Sequence, residues 1–147
     1  MIEHIWSVLC TRSLIDKRSN NLSLIEVVER LSVTGAPPNS VAPVGMELVS
    51  MWARSVSDQP ARARAKVRLL APDGVQIGDT IPYEVDLTSH ARSRNISIMG
   101  GLPIRGSGNH LFLVEVEDGD RWVTVAKVPL EVIIQAEEAP STPSSNP

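Results

Sequence analysis

Three histidines, His4, His90 and His110, and a single cysteine, Cys10, are the side chains of this chain best suited to nucleophilic, acid–base or metal chemistry. Such chemistry needs its groups gathered: ligands at a fixed spacing for a metal, a nucleophile beside a base, or a glycine-rich loop between a strand and a helix to cradle phosphate. None of these spacings occurs here. His4 lies in an alternating segment at the same parity as Trp6, Val8 and Cys10, which predicts a partly buried histidine with an ordinary hydrogen bond. Cys10 in that series reads as a small buried hydrophobe rather than a nucleophile. Gly100-Gly101 and Gly106-Ser107-Gly108 fall among strand-like segments and mark bends. The sequence therefore implies no catalytic residue, no metal site and no cofactor, and an enzyme would have to gather one of the histidines with carboxylates in a pocket.

Carboxylates are clustered near two turns. Glu115, Glu117, Asp118 and Asp120 surround Asp118-Gly119, and Asp73 and Asp79 flank a second turn. Oxygen ligands in the end loops of a β domain suit Ca²⁺, so a ligand-binding domain for Ca²⁺ or carbohydrate is an alternative reading. The plainer explanation is that Asp favours turns and turn tips are solvated. An aromatic content of 3% argues against stacking on sugars.

Cations are arranged more regularly. Arg62, Arg64, Lys66 and Arg68 alternate with Ala61, Ala63, Ala65, Val67 and Leu69, which predicts a strand with one apolar and one basic face. Arg92, Arg94 and Arg105 could extend that basic face. Pro72-Asp73-Gly74 then predicts a turn, each residue suited to it for its own reason. The next strand, residues 80–88, sets Tyr83, Val85 and Leu87 against Glu84, Asp86 and Thr88. Pairing these strands by their apolar faces sets basic residues against acidic ones; one such register places Lys66 beside Glu84 and Arg64 beside Asp86, leaving Arg62 and Arg68 unpaired. Neutralisation across the sheet is preferred over an open basic surface because the net charge is −3.

A second candidate face surrounds Trp122. Residues 109–117 and 121–127 bracket Asp118-Gly119 and predict a hairpin. With a two-residue turn, Glu117 faces Asp120 and Trp122 shares a face with Leu111 and Leu113. With a three-residue turn, Val114 faces Trp122, and Phe112, Val114, Val116 and Trp122 gather on one face; this register is preferred because it buries the large residues together. In both, Leu111, Leu113, Val123 and Val125 leave neither face purely polar. An antiparallel sheet normally has one wet face. Leu111, Leu113, Trp122, Val123 and Val125 are thus the expected interaction face, to be covered by a partner, a second copy or the loop 35–43.

The remaining elements follow the same logic. Residues 2–11 and 22–33 flank a turn at Asn20-Asn21; 46–56, 94–99 and 130–134 complete the set, the last following Pro129, which belongs at an edge or strand start. Residues 24–31 also fit helical spacing, with strand preferred. About eight or nine short strands predict an all-β domain: a two-sheet antiparallel sandwich, immunoglobulin-like or C2-like. A chain of 147 residues that is 42% hydrophobic supports one domain with its own core, residues 1–135, followed by a disordered, proline-rich tail, 136–147. The charge balance disfavours nucleic-acid binding. No apolar run spans a membrane, no signal peptide opens the chain, and one cysteine fits a reducing compartment, so a cytoplasmic location is expected.

The segments His4-Ile-Trp-Ser-Val-Leu-Cys10, Ile15-Asp16, Asn21-Leu-Ser-Leu24, Val67 to Gly74, Gly101-Leu-Pro-Ile104 and Gly119 to Val132 resemble a family of small bacterial proteins of unknown function. The likeness spans roughly residues 2–135. It implies a stand-alone bacterial β domain and supplies no activity, ligand or site residue. Together these readings predict a non-catalytic protein-binding or accessory module, self-associating or bound to another protein.

Overall fold

In a computed structural model, which describes residues 1–137 other than Pro38 and Ser57, the chain folds into eleven β-strands in three sheets. Strands β1 (Ile2–Ile15), β2 (Leu22–Val27), β5 (Met46–Arg54) and β8 (Arg92–Met99) form one sheet in the order β2-β1-β5-β8. Strands β3 (Arg30–Thr34), β6 (Ala61–Leu70), β7 (Gln76–Leu87), β10 (Gly108–Asp118) and β11 (Arg121–Gln135) form a second, ordered β3-β11-β10-β6-β7. The short β4 (Ser40–Ala42) and β9 (Leu102–Ile104) pair with each other. The expected tail lies outside the described residues from position 138 onward.

One core joins the sheets. Leu9, Leu48 and Trp52 of the first meet Val67, Val85, Leu87, Phe112, Val114, Leu130 and Val132 of the second, and Ala42, Leu102 and Ile104 of the small pair close the same cluster. Each fully buried large side chain here contributes about 1.5–3 kcal/mol relative to exposure. In β6 the alternation seen in the sequence holds: Ala65, Val67 and Leu69 are buried while Arg62 and Arg64 stand exposed.

Several expected boundaries change for identifiable reasons. The expected strand over 22–33 divides, because Val28 donates its N–H to Leu9 while Glu29 accepts from Glu131, so the chain leaves one sheet and enters the other. β3 then pairs parallel to β11, so the architecture is not purely antiparallel, and the strands number eleven rather than eight or nine. Residues 35–43 contain β4 and bury Ala42, so they close the core rather than cover the Trp122 face. The stretch 130–134 is not a separate strand: β11 runs unbroken through Pro129, which sits before the pairing with β3 begins at Glu131, where a missing donor is tolerated.

β1 carries a bulge at Ile5, between the pairs His4–Trp52 and Trp6–Met51. One extra residue flips the side-chain parity. His4, Ser7 and Leu9 consequently face the core, while Trp6, Val8 and Cys10 face the other way, so the expected shared parity of His4 and Cys10 does not hold. One sheet is curled as a half-barrel. The β1–β2 turn, set by Asp16 accepting from the N–H groups of Arg18 (2.9 Å) and Ser19 (2.8 Å), reaches β8 at the opposite edge, where the Arg94 guanidinium donates to Asn20. Cys10 and Val49, both fully buried, lie outside the main core cluster, on the face of the four-stranded sheet opposite Leu9 and Leu48.

Candidate functional site

The two residue sets singled out in the sequence converge on the outer face of the five-stranded sheet. β6 supplies Arg62, Arg64, Lys66 and Arg68, and its neighbour β10 supplies Leu111, Leu113, Glu115 and Glu117 at matching parity. β11 adds Trp122, paired with Glu117. Val123 and Val125 do not join them. Val123 pairs with the core residue Val116, and Val125 is the extra residue of a bulge and packs against the core.

The hairpin explains that division. Its strands pair Asp118 with Arg121 and Glu117 with Trp122, so the two-residue turn is Gly119-Asp120, and neither expected register holds. Gly119 has φ 62°, and Asp120 is not among the positive-φ residues, which matches a turn that needs glycine at its first central position. The sequence placed glycine second. A two-residue turn slid by one position keeps the parity of β11 against β10, so Trp122 shares the face of Leu111 and Leu113, as the two-residue register had it, and the preferred gathering of Trp122 with Phe112, Val114 and Val116 does not form.

On the outer face the cations and carboxylates interleave. β6 and β7 do pair, but two residues away from the expected register: Arg64 lies opposite Glu84, Arg62 opposite Asp86, and Lys66 opposite Pro82. Arg62 bridges Glu84 at 3.4 Å and Asp86 at 2.8 Å. Arg64 grips both oxygens of Glu117, with Nε donating at 2.7 Å. Arg68 does the same to Glu115, at 2.9 and 2.8 Å, and Lys66 adds a third contact to that carboxylate at 3.6 Å. Arg62 and Arg68, expected to be unpaired, are therefore both neutralised. Glu115 and Glu117, the partners of Arg68 and Arg64, were legible as alternate residues on a strand; what the sequence did not show was that β10 lies beside β6.

These contacts shape the acids unequally. Glu115 is 5% exposed. Its carboxyl titrates below the usual range, chiefly through the Arg68 hydrogen bonds, against the opposing pull of burial. Asp86 is held down to about 2, mainly by Thr88, whose hydroxyl and N–H donate to it, and then by Arg62. Above this ladder stands Trp122, 39% exposed, with Lys66 Nζ 4.0 Å and Arg64 Cζ 5.8 Å from its ring centre. A hollow of about 340 Å³ lies beside it, lined by Arg64, Lys66, Pro82, Tyr83, Glu84 and Trp122 among others. Leu113 is buried and Leu111 half-buried, so Trp122 is the exposed apolar member of the face.

The other chemical candidates do not assemble. His4 accepts from or donates to Ser7 Oγ at 2.7 Å, and Ser7 meets Ser50 Oγ at 2.7 Å. A partly buried histidine with this ordinary hydrogen bond was expected; its orientation toward the core side, edge-on to Trp52 with ring centres 5.1 Å apart, was not. Burial lowers the His4 pKa and pushes the nearby Tyr83 hydroxyl up to about 12. Among the described residues no carboxylate hydrogen-bonds to His4 or Ser7; His90 is exposed, and His110 is buried with Nδ1 at 3.2 Å from the Gly108 carbonyl. Cys10 is buried, and burial raises its pKa. Of the acids considered for Ca²⁺, Glu115, Glu117, Asp118 and Asp73 are engaged by arginines. Among the described residues no group of three or more potential metal ligands comes together.

In comparison with known proteins, no family model matches this chain, and no curated protein matches it.

Proposed function

We propose that this protein is a non-catalytic protein-binding module, and that the partner its outer sheet face fits best is a second copy of the same chain. The observation that carries the reading is Trp122, exposed and flanked by Arg64 and Lys66 on an otherwise charge-matched sheet face. Tryptophan and arginine are the side chains most enriched at the energetic centres of protein interfaces. Around Trp122 the face carries four cations, Arg62, Arg64, Lys66 and Arg68, and four carboxylates, Glu84, Asp86, Glu115 and Glu117. A face of interleaved sign is complementary to itself under a two-fold rotation, which is what a symmetric dimer requires. We further read the shared core of the two large sheets as a sandwich, immunoglobulin-like or C2-like, of a stand-alone bacterial domain in the cytoplasm.

The test is mass in solution. Sedimentation equilibrium across a concentration series should give a monomer–dimer equilibrium, and Trp122→Ala should weaken it about thirtyfold, the cost of truncating an interface hot spot. A strictly monomeric wild-type protein at all concentrations, or a dimer indifferent to Trp122→Ala, overturns the reading.

A further inference from the structure

The four-stranded sheet holds a second site of different chemistry. Between the β1–β2 turn and β8 lies a cleft of about 490 Å³. Asn20, Asn21 and Leu22 form one wall, Met51 of β5 contributes from the sheet, and His90, Arg92, Ser93 and Arg94 form the other wall. Its size falls within the range of small-molecule pockets.

Charge in this cleft is unbalanced, in a chain whose net charge is −3. Arg30, Arg62, Arg64, Lys66, Arg68, Arg105 and Arg121 each meet a carboxylate. The two arginines of the cleft do not, among the described residues, and unlike the other cations without an ion pair, Arg12, Lys17, Arg18, Arg54 and Lys127, they line one cleft together. Arg94 spends one nitrogen on the neutral backbone and side-chain oxygens of Asn20, at 2.9 and 3.0 Å, so its charge is not cancelled. Arg92 is exposed on the same strand, two residues away at matching parity. The one carboxylate lining the cleft, Asp86, is already occupied: Oδ2 accepts from Arg62 at 2.8 Å, and Oδ1 accepts from the Thr88 N–H at 3.0 Å and hydroxyl at 2.6 Å. The Asp86–Arg62 pair cancels itself and leaves the two guanidinium charges facing the cleft.

We infer that this cleft binds a small molecule through an oxyanion group, phosphate or carboxylate, held by Arg92 and Arg94. The guanidinium fork matches the paired oxygens of either group. Asn21 and His90 add polar groups to the lining, and Leu22 and Met51 add apolar ones for the body of the ligand. Apart from Asp86, which belongs to β7, the lining comes from the four-stranded sheet and its connecting segments rather than from the strands around Trp122, and the inference does not rest on the dimer reading.

Amide NMR titrations with phenyl phosphate, benzoate and inorganic phosphate, at constant ionic strength held by sodium chloride, test it. The expected result is saturable binding, one site per chain, with shifts centred on residues 20–22 and 90–94. Arg92→Ala should weaken it about tenfold, the loss of one charge-assisted contact. Arg121→Glu, a charge change at the β10–β11 hairpin tip and outside the cleft lining, should leave it unchanged. Response to phenyl phosphate alone identifies a phosphate site, to benzoate alone a carboxylate site, and to both a general oxyanion site; each supports the inference. No saturable response to any probe, shifts scattered over the surface, or equal affinity in Arg92→Ala overturns it.

Discussion

Removing Arg68 should cost more than removing the acid it holds, and the difference measures how the outer face is built. Glu115 is 5% exposed, whereas the Arg68 side chain keeps 28% of its surface in water. Arg68→Met keeps the packing of the stem but withdraws a hydrogen bond from each oxygen of Glu115, leaving Lys66 at 3.6 Å as the remaining cation. A buried carboxylate is then under-partnered, for which about 2 kcal/mol is the appropriate scale. With slopes of about 1–3 kcal/mol/M for small domains, that is roughly 1 M in the urea midpoint at pH 7. Glu115→Gln should cost less, because Arg68 and Lys66 can turn to solvent, and the double variant should be more stable than Arg68→Met alone. The sign of the pH dependence follows from the direction of the Glu115 shift. Its folded pKa lies below its unfolded value, so it stabilises the wild type above the unfolded pKa, near 4.5, and this is lost as pH falls through the folded pKa. The gap between wild type and Arg68→Met should therefore narrow steadily below about pH 4.5. Urea melts at pH 7 and pH 3.5 measure it. Equal costs for Arg68→Met and Glu115→Gln, or a gap that widens in acid, would refute the reasoning.

Three further outcomes are expected. Gly78→Ala should destabilise by about 1–3 kcal/mol, since the position has φ 69° and an added Cβ would stand 2.9 Å from Pro103 Cγ; thermal melting reads this directly. His4 has a folded pKa below 6.5, so the stability it contributes is full above that value and declines as pH drops toward the lower folded pKa. His4→Asn should flatten the stability profile in that window, as followed by denaturant melts across pH 5 to 7. Cys10, fully buried, should react with a thiol reagent only at the rate of unfolding, and a native-state rate equal to that of a free thiol would contradict its placement.

What the sequence shows is what depends on neighbours along the chain. The alternation of β6, the Pro72-Asp73-Gly74 turn, with Gly74 at φ 83°, and the inward Tyr83, Val85 and Leu87 of β7 were all readable, because period and turn chemistry are local. Which strand lies beside which is not local. Hence Arg62, Arg64, Lys66 and Arg68 were recognisable as one face, while half of their partners, Glu115 and Glu117, belong to a strand about fifty residues away. Inserted residues are harder still. The extra residue at Ile5 and the one at Val125 each reverse a parity that the alternation predicts, and they turned His4 and Val125 toward the core side. The Trp122 face was half legible: Leu111, Leu113 and Trp122 share it, as the two-residue register had them, while Val123 and Val125 turn to the core side.

The bulge at Ile5 acts on the strand as a frameshift acts on a message. Its side chain is 47% exposed, so its identity matters little and its substitution should be nearly silent. Its backbone is another matter. Without that one residue, the segment before it would be read in the other frame, turning Ile2 and His4 outward and Met1 and Glu3 into the core. Selection at this position would then act on length rather than on composition: variable in which amino acid stands there, and intolerant of its loss.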